Sequence, residues 1–65
     1  MPIVRVTLLE GRTDEQKEKL VAALTEAMVA EAGARREGVM VLIEDVPPRH
    51  WAMGGKLVKA HKKHD

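Results

Sequence analysis

No cysteine occurs anywhere in this chain of 65 residues, and that absence limits its possible folds more than any motif does. A domain of this size buries only about 60% of the surface that its unfolded form exposes, so its core alone is marginal. Small folds compensate with disulfides, metals or partner subunits. Disulfides and thiolate metal sites are excluded here, while 45% of the residues are hydrophobic. Assembly is the remaining route to stability. The chain is therefore expected to form one domain over residues 1–65 and to work as an oligomer.

Charge and aromatic content remove several classes of partner. Eleven basic residues against ten acidic ones give a formal net charge of +1, too balanced for nucleic acid or a membrane surface as the main partner. Trp51 is the one aromatic residue, so there is no platform on which bases stack. No apolar run approaches the ~20 residues of a membrane span or follows a basic signal segment. With no cysteine to suggest secretion, a cytoplasmic location is the expectation.

Periodicity supplies the elements. Residues 2–9, Pro2-Ile3-Val4-Arg5-Val6-Thr7-Leu8-Leu9, are β-branched and alternate, with Val4, Val6 and Leu8 on one face and Ile3, Arg5 and Thr7 on the other, which predicts a strand. Thr13-Asp14-Glu15-Gln16 has the spacing of a capping box, so a helix is expected to start near Asp14. Leu20, Leu24, Ala27 and Met28 recur at helical spacing beside Val21, and Gly33 offers a stop. Residues 39–46 form a second, almost continuously apolar run that Pro47-Pro48 cannot extend.

A helix of ~19 residues spans about 28 Å, close to the ~26 Å of an eight-residue strand, so the helix can return the chain to its starting edge. The two strands are then parallel, in a right-handed βαβ unit of the α/β (α+β) class. Two strands under one helix leave a sheet face and edges for partner subunits to cover. Gly54-Gly55 predicts a short C-terminal hairpin, and residues 56–65 are expected to be a basic tail.

Met1-Pro2 is the most informative dipeptide. Cells generally trim an initiator methionine that precedes a small residue, which would leave a free proline amine. Such an amine has a pKa near 7.7–8.0 in water; an apolar pocket lowers it, and the group then exchanges protons near neutral pH. From these residues alone, Pro2 reads more simply as the start of an edge strand, where its missing donor does no harm. Arg12, likewise, reads as a loop arginine pairing with Glu10 or Asp14 or as a planar fork for a carboxylate.

The run from Pro2-Ile3 through Leu9-Glu10-Gly11-Arg12-Thr13-Asp14-Glu15-Gln16-Lys17 resembles the N-terminal signature of the 4-oxalocrotonate tautomerase family in spacing and in most identities. The likeness continues through the helix, the second strand and His50-Trp51-Ala52-Met53-Gly54-Gly55. It implies a βαβ subunit in a hexamer or a trimer-type assembly, acting on a small 2-oxo or enol acid without metal or cofactor. By this resemblance Pro2 is the general acid/base that moves a proton between carbons, Arg12 anchors a substrate carboxylate, and Leu9 and Trp51 wall the pocket.

One position departs from the pattern: Met40 stands where well-known members have a second arginine, and a thioether cannot stabilise an enolate. Two expectations follow from it. Either the subunit is specialised for a smaller substrate, or it is a non-catalytic or partner-dependent member of a homo- or hetero-oligomer. Arg5, Arg35, Arg36 and Arg49 are candidates to reach in from a neighbour, although each reads more simply as a solvated or interface charge.

The remaining constellations are weak. His61 and His64 lack a third metal ligand, Gly54-Gly55-Lys56 lacks the earlier glycine of a phosphate loop, and Lys56, Lys59, Lys62 and Lys63 read as a solvated face. Family members that hydrate halogenated acids carry a carboxylate where this chain has Ala52-Met53, so dehalogenation is not expected.

Overall fold

The computed structural model describes residues 1–58. Strand β1 (Ile3–Leu9) and strand β2 (Met40–Val46) lie side by side and parallel, joined by helix α1 (Asp14–Ala32). Their register runs from Ile3 opposite Met40 to Leu9 opposite Val46. Both strands begin one residue later than their apolar runs. Pro2 has no N–H to give the ladder, and Val39 ends a 3-10 turn at Arg36–Gly38, its N–H bonded to the Arg36 carbonyl. That turn was not expected.

The helix is fixed at both ends by local chemistry. The Thr13 hydroxyl accepts the Gln16 N–H at 3.1 Å, and the Thr13 N–H donates to the Gln16 side chain at 2.9 Å, so two free donors of the first turn are satisfied. Asp14 and Glu15 add negative charge where the helix dipole favours it. At the other end Gly33 adopts the left-handed conformation (φ 70°), where a side chain would be strained. Its N–H and that of Ala34 both reach the Met28 carbonyl.

Helix α1 covers one face of the sheet. Its half-buried positions are Lys17, Leu20, Val21, Leu24, Thr25, Met28 and Val29, a stripe at three- and four-residue spacing. Ala27, expected in that stripe, is exposed; its short side chain sits at the edge of the arc, and Thr25 and Val29 widen the opposite side. Beneath lie Val4, Val6, Leu8, Val41 and Ile43, all half-buried.

An ion pair between Lys17 and Asp45 at 2.6 Å fastens the helix to the end of β2, with side chains 29% and 33% exposed. The hydrogen bond to Asp45 holds the Lys17 ammonium above the ordinary lysine range, against the opposing effect of desolvation. Arg36 donates twice to Glu26, at 2.9 and 2.7 Å. This fork ties the 3-10 turn to the helix and holds the Glu26 carboxyl below its ordinary value.

After β2 the chain makes a second 3-10 turn at Pro48–His50, with proline at its start. Strands β3 (Ala52–Met53) and β4 (Lys56–Leu57) then form an antiparallel hairpin. Gly54 (φ 59°) and Gly55 (φ 85°) make its two-residue turn, a conformation that needs positive φ at both positions. Lys56 and Leu57 are thus strand residues, not the start of the expected tail; pairing with Met53 and Ala52 takes them into the hairpin. Residues 59–65, including His61 and His64, lie outside the described residues.

Among the described residues nothing covers the other sheet face. No described side chain is fully buried, and Ile3 (52% exposed), Met40 (46%) and Leu42 (46%) stand open there. The hairpin exposes Met53 and Leu57 as well. Covering one such side chain completely contributes about 1.5–3 kcal/mol, so the single chain leaves much of its potential stabilisation unrealised. Among the described residues no helix is long and apolar enough to cross a membrane.

Candidate active site

Pro2 is half-buried at the head of β1. Its carbonyl accepts the Met40 N–H at 3.0 Å, which locks the two chain segments together at this end of the sheet. The surroundings are apolar: Ile3 and Met40 face each other in the register and point from the uncovered face. Met1, ahead of Pro2, is 88% exposed and belongs to no element. An amine freed at Pro2 would therefore stand beside a thioether and an aliphatic side chain.

Arg12 lies at the other end of the strand. The Glu10 N–H donates to the Val46 carbonyl at 3.0 Å, extending the ladder into the loop; Gly11 bends the chain with φ 129°, and the capping box holds Thr13. Between these fixed points Arg12 donates one guanidinium N–H to the Leu9 carbonyl at 3.0 Å. It pairs with neither Glu10 nor Asp14, nor with any other carboxylate among the described residues. A guanidinium has five N–H donors, so the fork remains available.

Leu9 ends β1 and is half-buried. Trp51, also half-buried, follows the turn after β2 and is held by two backbone bonds: its N–H to the Pro48 carbonyl at 3.1 Å and its carbonyl to the Val58 N–H at 2.7 Å. The hairpin thus anchors the indole's backbone position.

The chain brings Pro2 together with Met40, and Leu9 together with Arg12, but it does not bring the two pairs together. Leu9 lies seven residue steps along the strand from Pro2, about 23 Å at ~3.3 Å per residue. Strand register and the parallel crossover enforce this division. Between the pairs, an open depression of about 210 Å³ crosses the sheet, lined by Arg5, Val6, Thr7, Leu42, Ile43 and Glu44. Arg5 and Glu44 there were not paired by sequence reasoning. Alternation identifies the face of each residue, whereas their proximity depends on inter-strand register. Among the described residues no three His, Asp or Glu side chains gather as a metal site.

Comparison with known proteins agrees with this geometry. The family model described as tautomerase enzyme matches residues 2–61. A 2-hydroxymuconate tautomerase of Bacillus subtilis is 50% identical over 56 residues, covering 86% of this chain and 90% of its own. The crystal structure of YwhB, a homologue of 4-oxalocrotonate tautomerase, superposes with a TM-score of 0.88 at 44% identity, covering 94% of this chain and 100% of its own. A heterohexamer 4-oxalocrotonate tautomerase from Chloroflexus aurantiacus gives a TM-score of 0.85 at 41% identity, with 89% and 94% covered. A βαβ chain with its parallel pair, long helix and short hairpin, matched over nearly its whole length, belongs to the tautomerase enzyme family.

Proposed function

We propose that this protein is a cofactor-independent tautomerase that interconverts the enol and keto forms of a small unsaturated 2-oxo acid. The observation that carries the proposal is the position of Pro2, at the head of β1 with the apolar side chains of Ile3 and Met40 open beside it. With Met1 removed, the secondary amine is a base of pKa near 7.7–8.0 in water, and apolar surroundings lower that value by disfavouring the ammonium. The neutral amine takes a proton from one position of the substrate. The resulting ammonium returns a proton to another, so the composition of the acid is unchanged and the amine is regenerated.

Arg12 is the carboxylate anchor. Because Arg12 holds the carbonyl of Leu9, which lies about 23 Å along β1 from Pro2, the Arg12 that serves a given Pro2 belongs to another chain. Leu9 and Trp51 come with it and close the pocket against water. A site built in this way exists only in an oligomer, a homo-oligomer such as a hexamer or trimer in the simplest case. This suits a chain in which no described side chain is fully buried.

Met40 narrows the substrate. A methionine beside Pro2 donates nothing to a second carboxylate or to the oxygen on which charge develops, a contribution of about 3–4 kcal/mol where other enzymes supply it. A monocarboxylate with an apolar tail fits better than a dicarboxylate.

A second reading rests on the same residue: the subunit is non-catalytic, or acquires its missing cation from a different chain, for which the heterohexameric relative is a precedent of mixed assembly. Intact-mass measurement paired with an enol–keto assay on phenylenolpyruvate separates the two. Turnover by homogeneous protein lacking Met1, and none by protein retaining it, supports the tautomerase. Equal turnover with Met1 attached removes Pro2 as the base, and no turnover by the processed homogeneous chain favours the second reading.

A further inference from the structure

Two charged residues occupy places that the fold otherwise gives to apolar ones. Lys17 is the first half-buried position of α1, ahead of Leu20, Val21 and Leu24. Asp45 follows Val41 and Ile43 on the face of β2 that the helix covers, opposite Leu8 in the register. Their side chains meet at 2.6 Å, 29% and 33% exposed. An apolar pair of similar volume would stabilise such a partly covered contact at least as well. What the ion pair adds is a fixed distance and direction, which apolar contact lacks.

That fixed point lies beside the loop that carries Arg12. At the start of the loop the Glu10 N–H donates to the Val46 carbonyl at 3.0 Å, and at its end the Lys17 N–H donates to the Thr13 carbonyl at 3.0 Å. The ammonium of the same Lys17 reaches Asp45. Neighbouring residues of β2 therefore hold both ends of the loop, and the chain from Glu10 to Lys17 closes into a ring through Asp45 and Val46. Arg12 lies within this ring. Its guanidinium makes one bond, to the Leu9 carbonyl, so the direction of its fork depends on where the ring is held. We infer that the Lys17–Asp45 pair is a positioning device for Arg12: it fixes where the start of the helix lies over the sheet and so aims the guanidinium at the substrate carboxylate. Both residues act through Arg12. The inference rests on the anchoring role proposed for Arg12 above and adds the residues that hold the anchor in place.

A double-mutant cycle on the assembled protein, with phenylenolpyruvate as substrate, tests it. Asp45→Asn keeps the volume and removes the charge, while Lys17→Met combined with Asp45→Leu replaces the ion pair by an apolar one. Melting curves and sedimentation verify that each folds and assembles as the parent does; the near-isosteric Asp45→Asn carries the test if the apolar pair does not. Each should raise KM about three- to tenfold with kcat nearly unchanged, the pattern of weakened ground-state binding. In an Arg12→Ala background the same changes should raise KM no further, since the group they displace is gone. A merely structural pair behaves otherwise: its replacement at parent stability leaves KM where it was, and that result overturns the inference. An Asp45→Asn effect of equal size with and without Arg12 overturns it too. Arg12→Ala against the parent tells the two failures apart. If it leaves kinetics unchanged, the anchoring role falls and the inference with it; if it lowers kcat/KM while the Asp45 effect stays additive, only the positioning role falls.

Discussion

Met40 donates its backbone N–H to the carbonyl of Pro2 at 3.0 Å, so the side chain at position 40 flanks the residue proposed to carry the proton. Under the proposed function, the choice of acid then turns on one thioether. Met40→Arg should raise kcat/KM on a 2-oxo dicarboxylate such as 2-hydroxymuconate far more than on a monocarboxylate, because only the dicarboxylate has a group left unpaired there. A hydrogen bond to a charged group is worth about 1.5–3 kcal/mol, and each ~1.4 kcal/mol is tenfold in rate, so the expected gain is about ten- to a hundredfold. Paired kinetics on the two substrates, with a melting curve to verify assembly, measure it. Equal gains on both would show that position 40 does not read the second carboxylate.

Arg12 holds the Leu9 carbonyl through one N–H, and the rest of its fork has no partner among the described residues. Arg12→Ala should therefore lower kcat/KM at least about tenfold while stability falls by no more than about 1 kcal/mol. Arg12→Lys, which keeps charge without the planar fork, should fall between the two. Steady-state kinetics beside thermal melts separate these effects; unchanged kinetics in Arg12→Ala would make Arg12 a loop residue only.

Thr13 starts the helix and ends the loop that carries Arg12. Removing its hydroxyl in Thr13→Ala deprives the Gln16 N–H of its partner and should cost about 1 kcal/mol, a fall in Tm of about 4–8 °C for a domain of this size. Thr13→Ser should restore most of it. Calorimetry at fixed protein concentration is the appropriate check, since an oligomer's Tm depends on concentration.

The Lys17–Asp45 pair predicts a dependence on alkaline pH. A lysine whose folded pKa is raised contributes stability that is fully present below the unfolded lysine's pKa and is lost as pH climbs through the folded value. Melting curves of the parent and of Asp45→Asn should therefore differ most at neutral pH and converge above the ordinary lysine range. A difference that stays constant across that window would mean the pair contributes nothing through ionisation.

Most of the scaffold was legible because its signals are local. Thr13 and Gln16 cap the helix they were expected to cap, Gly33 stops it, and Pro47-Pro48 ends β2. The 3-10 turn at Arg36–Gly38 was hidden because the fork that ties it to the helix reaches Glu26, ten residues back. Lys56 and Leu57 resembled a tail because two residues are too few to show alternation; the glycine turn before them was the better guide. The candidate site was illegible as a place. Which end of the sheet each residue occupies depends on the crossover and the register, and neither is a property of any short segment.

The division of Pro2 and Arg12 between chains is tested most directly by mixing two disabled variants. Pro2→Leu puts a large residue after Met1, so the methionine stays attached and no proline amine forms; Arg12→Ala removes the anchor. Each homogeneous oligomer should be nearly inactive on phenylenolpyruvate. Oligomers formed by refolding an equimolar mixture should recover roughly a quarter of the parent activity, because random assembly joins an intact Pro2 to an intact Arg12 from another chain with that frequency. If the mixed oligomers assemble but stay as inactive as their components, no site uses Pro2 of one chain with Arg12 of another, and the two-chain site is contradicted.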